Sequence, residues 1–127
     1  MVRLLITDDE EVVRNTMCNM LQPLGLNIFT AENAAQAIEM TRREFFDVAL
    51  LDIKIPDMDG IQLMQELKNI NPNLRCIMLL TGLSDVQLAV SAVKKGAFDY
   101  IPKPFKEQEV LKAVNDALQS MFGPDKR

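Results

Sequence analysis

Apolar residues run almost unbroken at Val2–Thr7, Asp47–Asp52 and Arg75–Thr81. Such short, β-branched or leucine-rich runs predict strands covered on both faces. Leu26–Ala31 mixes apolar with polar positions, and Phe98–Ile101 is short and carries Asp99, so both predict edge strands. Helical periodicity fills the gaps. Val13, Met17, Met20, Leu21 and Leu24 mark a first helix. Asn33, with Gln36 three residues on, predicts a capped second helix that turns Ala34, Ala37 and Ile38 inward. Leu63, Met64, Leu67 and Ile70 mark the third, and Val86, Ala89, Val90 and Val93 the fourth. Val110, Leu111, Val114, Ala117, Leu118 and Met121 give the fifth and cleanest stripe. Pro56, Pro72 and Gly96 punctuate between elements. Five strand–helix alternations predict an α/β fold, a doubly wound five-stranded parallel sheet with helices on both faces. Right-handed crossovers and two edge-like strands fit the order 2-1-3-4-5.

Composition narrows the class. At 127 residues the chain predicts one domain over residues 1–122, with 123–127 a polar tail or the start of a linker. The 48% hydrophobic and 25% charged fractions are those of a globular protein. No apolar run approaches the ~18 residues of a membrane span and no basic-then-apolar leader opens the chain, so the expectation is a cytoplasmic protein without membrane attachment. Cys18 and Cys76 cannot form a disulfide framework and read as small buried apolar residues, while the methionines Met17, Met20, Met64 and Met121 read as core filler. The absence of histidine excludes a His-based triad, a His-ligated zinc site and a phosphohistidine. A net charge of −4 argues against a nucleic-acid surface within these residues.

The chemistry gathers at the strand ends. The first strand ends in Thr7-Asp8-Asp9-Glu10, the third in Asp52, the fourth in Thr81-Gly82, and the fifth leads into Lys103-Pro104. Ligands of such sheets bind at the carboxyl ends of the strands, where the strand order reverses. Strands 1 and 3 lie about 4.8 Å apart in this order, so Asp8, Asp9 and Asp52 converge. Three carboxylates at that spacing call for a proton or a cation, and an all-oxygen set suits Mg²⁺, with Mn²⁺ the alternative. Lys103 adds an ammonium and Thr81 a hydroxyl, which together with a cation can surround a phosphoryl group. Asp52, ending the central strand, is best placed to accept that group as an aspartyl phosphate. Taken singly, each residue has a plainer reading. Asp8-Asp9 suits a helix cap, Asp52 before Pro56 and Gly60 suits turn chemistry, Thr81 a cap and Lys103 a solvated loop. The set, one group at each of four strand ends, points to a site.

The acidic Asp8-Asp9-Glu10, the run Asp52-Ile53-Lys54-Ile55-Pro56-Asp57-Met58-Asp59-Gly60, Thr81-Gly82, and Gly96 through Phe105 with Lys103-Pro104 resemble the receiver domain of two-component response regulators, over about residues 2–121. The resemblance implies a flavodoxin-like receiver fold in which Asp52 accepts a phosphoryl group from a sensor histidine kinase or phosphotransfer protein. It implies that Asp9, Asp52 and the backbone carbonyl of Lys54 hold Mg²⁺, with Asp8 acting through water. It further implies that Lys103 pairs with the phosphoryl group, that Thr81 moves toward it, that Tyr100 switches between exposed and inward positions, and that the Lys103–Pro104 peptide is cis. In this reading the domain catalyses only its own phosphorylation and dephosphorylation. The Lys54 side chain either shields the phosphoryl group or contacts the acid cluster, and Leu83 restricts water access.

The signal is expected to leave through the fourth helix, fifth strand and fifth helix, as a population shift between two packings. Val86, Ala89, Val90 and Val93 supply the expected core stripe of the fourth helix, and Leu88 and Ala92 lie off it, so they and Tyr100 form the expected partner or homodimer surface. The output is a downstream protein or a fused domain, the chain being either a stand-alone receiver or the amino-terminal receiver of a longer regulator. The principal rival is an interaction module of the same fold that works without phosphorylation. A flavodoxin-type cofactor carrier is disfavoured because the acidic loop after the first strand repels phosphate. A P-loop GTPase lacks its motif here, and a haloacid-dehalogenase-like phosphatase needs an aspartate where Lys54 stands.

Overall fold

The fold, obtained as a computed structural model, is described over residues 2–80 and 86–122. Its elements are β1 (Arg3–Thr7), α1 (Glu11–Leu21) continued by a 3₁₀ turn (Gln22–Leu24), β2 (Asn27–Ala31), α2 (Ala34–Arg43), β3 (Val48–Asp52), β4 (Lys54–Ile55), β5 (Met58–Asp59), α3 (Gly60–Ile70), β6 (Arg75–Leu80), α4 (Val86–Lys94), β7 (Asp99–Pro102) and α5 (Glu107–Phe122). Five strands form one parallel sheet in the order β2-β1-β3-β6-β7, which is 2-1-3-4-5 when the main-sheet strands are counted alone. The short β4 and β5 pair antiparallel as a separate hairpin directly after β3, an element the hydrophobic pattern does not reveal.

The unbroken apolar runs of the central strands have a direct cause. Successive side chains point to opposite faces. Leu5, Ala49, Leu51, Cys76 and Met78 pack on one face with residues of α2, α3 and α4, including Ala37, Leu63, Met64 and Leu67. Leu4, Ile6, Val48, Leu50, Ile77 and Leu79 pack on the other with α1 and α5, through Met17, Leu21, Val110, Val114 and Ala117. The edges are where the mixed patterns place them, at β2 and β7. Pro102, which lacks an N–H, sits within β7, a position an edge strand tolerates.

Helix α4 departs from the expected packing. Its buried residues are Ala89 and Ala92, both 0% exposed, whereas Val86, Val90 and Val93 face outward, Val90 at 47% exposure. Two stripes at helical spacing compete on this helix. The small one faces the sheet because alanine lets the helix backbone approach Cys76, Met78 and Ala97, which share its cluster. Ala92 is therefore core rather than partner surface, and the valines are not core. Ile70 of α3, expected in the core, is likewise partly exposed.

Ala92→Leu is expected to overpack this contact and destabilise the protein by about 1–3 kcal/mol. Val90→Thr is expected to change stability by under about 0.5 kcal/mol. Urea denaturation of both variants checks the assignment, and the reverse ranking would contradict it.

Candidate functional site

The site begins with strand register. Parallel β1 and β3 are paired through Thr7 and Leu51, so the next residues, Asp8 and Asp52, emerge side by side at the carboxyl edge. One carboxylate oxygen from each of Asp8, Asp9 and Asp52 lies within 4.8 Å of the others. Asp8 is 0% and Asp52 3% exposed, while Asp9 faces solvent.

Local turns aim these groups. Oδ1 of Asp8 accepts the N–H of Glu10 at 2.9 Å, and Arg14 of α1 donates to the Asp8 carbonyl at 2.8 Å. Asp8 does not cap α1, whose N-cap is Glu10 without a side-chain bond. The Asp8 Oδ2 is buried and has no hydrogen-bond donor among the described residues. Oδ1 of Asp52 accepts the N–H of Lys54 at 3.0 Å.

Crowding and burial raise both carboxyls. Burial pushes Asp52 up to about 7, opposed by the Lys54 N–H and assisted by the neighbouring Asp8 charge, with Lys103 pulling back down. Burial likewise raises Asp8, against the Glu10 N–H and Lys103, with Asp9 adding repulsion. An unpartnered buried carboxylate oxygen beside two further acidic oxygens is costly without a proton or cation. The donor set is all oxygen and partly open to solvent, which fits Mg²⁺ and does not suit a thiolate- or imidazole-loving metal.

Lys103 follows β7 on the rim, where its charge acts on both Asp8 and Asp52. Its Nζ lies 3.5 Å from Glu10 Oε1 and 5.7 Å from the centre of the Phe105 ring. The Lys103–Pro104 peptide is cis. Tyr100 lies on β7 and is exposed, and Leu88 on α4 is partly exposed. The calls on Thr81 and Leu83, and on the tail at 123–127, lie outside the described residues.

Several supporting residues carry no role in the sequence reading. Glu10 pairs with Lys103, and Arg14 fixes the Asp8 carbonyl. Asp59 caps α3 by accepting the N–H of Ile61 at 2.7 Å, which the Asp59-x-x-Gln62 spacing signals. Gly60 passes against the backbone of Asp52 and Ile53. A Cβ there would collide with the Asp52 carbonyl oxygen and lie 2.6 Å from Ile53 Cα. Only glycine permits α3 to start so close to Asp52.

A family model described as the response regulator receiver domain matches residues 4–115. The transcriptional regulator NtrC of Escherichia coli K12 is 38% identical over 113 residues, covering 89% of this chain and 24% of that protein. The chemotaxis protein CheY of Bacillus subtilis is 36% identical over 117 residues, covering 91% of this chain and 97% of that one. Among solved structures, a response regulator receiver domain protein from Clostridium thermocellum superposes with a TM-score of 0.89 at 28% identity, over 96% of this chain and 98% of its own. The chain thus spans about a quarter of the NtrC-type relatives and nearly all of the chemotaxis one.

The raised carboxyls give the metal-free protein a pH signature. A folded value near 7 against an ordinary 3.8 means the fold favours protonated Asp52. That contribution is full at acid pH and is lost as pH rises from about 4 to about 7. Asp52→Asn is expected to stabilise the metal-free protein above that window, by up to about 4 kcal/mol. Urea unfolding with a chelator across this range checks it, and equal pH slopes in the two proteins would refute it.

Proposed function

The chain belongs to the family of response regulator receiver domains, and from that premise we propose that Asp52 accepts a phosphoryl group from a phosphohistidine of a sensor histidine kinase or phosphotransfer protein. The observation that carries this reading is the convergence of Asp8, Asp9 and Asp52 around a buried, unpartnered Asp8 oxygen. Asp9, Asp52 and the Lys54 carbonyl would hold Mg²⁺, or Mn²⁺ in its place, and Asp8 would act through water. The bound cation supplies charge neutralisation for the carboxylates and for the phosphoryl oxygens.

The protein groups do the rest. The Lys54 N–H orients the Asp52 carboxylate. An oxygen of Asp52 attacks phosphorus in line as the bond to the donor imidazole breaks. Lys103 exchanges its loose contact with Glu10 for the phosphoryl oxygens. Thr81 then engages the phosphoryl group and Tyr100 responds, shifting the α4–β7–α5 surface between two packings. In this proposal the domain modifies only its own side chain and acts in the cytoplasm. The output is either a separate protein or a fused domain, and any DNA binding would reside in the latter.

The outgoing surface is revised by the packing of α4. Leu88 and Tyr100 remain on it, Ala92 leaves it, and the exposed Val86, Val90 and Val93 join it. The same surface would serve partner binding or homodimerisation.

Mass measurement after incubation with an acyl-phosphate donor and Mg²⁺ is expected to show one phosphoryl group gained. Asp52→Asn and chelation should each abolish the gain. Uptake that survives both would overturn the assignment and favour an interaction module that does not depend on this carboxylate. Val90→Asp should preserve phosphorylation yet weaken phosphorylation-dependent partner binding or self-association, by about ten-fold if the residue is central to the contact. Unchanged association would remove α4 from the surface.

A further inference from the structure

Asp57 makes a contact that no local pattern announces. It lies in the turn between β4 and β5, and its carboxylate reaches the amino terminus of α2. Oδ1 accepts the N–H of Ala34 at 3.0 Å and Oδ2 that of Ala35 at 3.1 Å. Asn33 caps the same helix by accepting the N–H of Gln36 at 2.8 Å. The opening N–H groups of α2 are thus shared between its own cap and a side chain 22–23 residues away. A carboxylate suits this end of a helix, where the N–H groups are unsatisfied and the dipole is positive. The Ala34 N–H accordingly holds the Asp57 carboxyl below its ordinary range against the opposing effect of burial, with the Ala35 N–H adding to the lowering.

The turn belongs to the segment that supports the acid cluster. Lys54 pairs with Asp59 across the hairpin, and its N–H holds Asp52 Oδ1. Asp59 ties the outgoing strand to α3, and the Gly60 N–H donates to the Ile53 carbonyl at 3.0 Å. Ile55 is buried in the core below. Strands of two residues do not hold a shape by themselves. With its base fixed at Asp52 and α3, the tip of the hairpin gains its polar tether through Asp57.

We propose that Asp57 is a positioning residue for the cation site, clamping the β4–β5 hairpin to α2 so that the Lys54 peptide stays in register with Asp52. The inference rests on the proposed Mg²⁺ site, because the Lys54 carbonyl matters to the cation only if that site binds one. It assigns Asp57 no contact with the cation or the phosphoryl group.

The test compares Asp57→Ala, Asp57→Asn and Asn33→Ala with the unsubstituted protein. Two quantities are read: Mg²⁺ affinity by calorimetry, and hydrogen exchange at the Lys54 amide in the metal-free protein. Asp57→Ala is expected to weaken Mg²⁺ binding about ten-fold, the usual effect of losing a group that orients a metal ligand. It is also expected to speed Lys54 exchange while leaving β3 amides protected. Asp57→Asn, which keeps one acceptor oxygen, should fall between. Asn33→Ala removes the other cap of α2 without touching the hairpin and should leave both quantities unchanged. Two results would overturn the proposal: Asp57→Ala retaining full affinity and protection, or Asn33→Ala matching its losses, which would assign the effect to general weakening of α2. If the unsubstituted protein binds no Mg²⁺, the site reading itself fails and takes this inference with it, an outcome read before any substitution is made.

Discussion

The interaction on which the structure turns is repulsion between buried carboxylates at the ends of β1 and β3. Asp8 and Asp52 are held out of water and beside each other by the register of two adjacent parallel strands. Burial raises both carboxyls, with the Asp8 charge adding to it at Asp52 and the Asp9 charge adding to it at Asp8, and one Asp8 oxygen finds no hydrogen-bond donor among the described residues. A fold chosen for stability alone would place an amide or an apolar residue there. Retaining the acids fits the proposed cation and phosphoryl site at this edge.

That strained edge is carried by a core that makes no such concession. Each central strand buries alternate side chains on opposite faces, against α2, α3 and α4 on one side and α1 and α5 on the other. The polar groups around the acids are placed by short, local devices. An Asp8–Glu10 turn, the Arg14 contact with the Asp8 carbonyl, the Lys54 N–H on Asp52 and the Asp59 cap each fix one bond direction. Gly60 contributes by what it lacks, since any Cβ would strike the Asp52 backbone. Lys103 is held less firmly, its Nζ lying 3.5 Å from Glu10 Oε1.

The strand ends and strand order place Asp8, Asp9, Asp52 and Lys103 together, and the structure brings the three acids to one point with Lys103 on their rim. These positions are legible because each lies at or within two residues of the carboxyl end of an apolar run, and the direction of a parallel strand decides which end of the sheet it occupies. The Asn33 cap was legible too, though Gln36 reaches back to the N–H of Glu32 instead of that of the cap itself. Helix α4 was not legible in the same way. Val86, Val90 and Val93 share a helical stripe as good as that of Ala89 and Ala92, and hydrophobicity favours the valines. The close approach to Cys76 and Met78 selects the alanines, and that distance is a property of the assembled sheet.

By itself the order of amino acids determined the alternation of strands and helices, the two-faced burial of the central strands and the identity of the acidic residues at their ends, since these follow from periodicity and from strand direction. Tertiary structure alone decided which face of α4 is buried, that a two-residue hairpin follows β3, and that Asp57 reaches the start of a helix more than twenty residues earlier. The physical reason is the range of the contacts. Periodicity reports interactions that repeat along one element, whereas these depend on the separation between elements, which exists only once the sheet has formed.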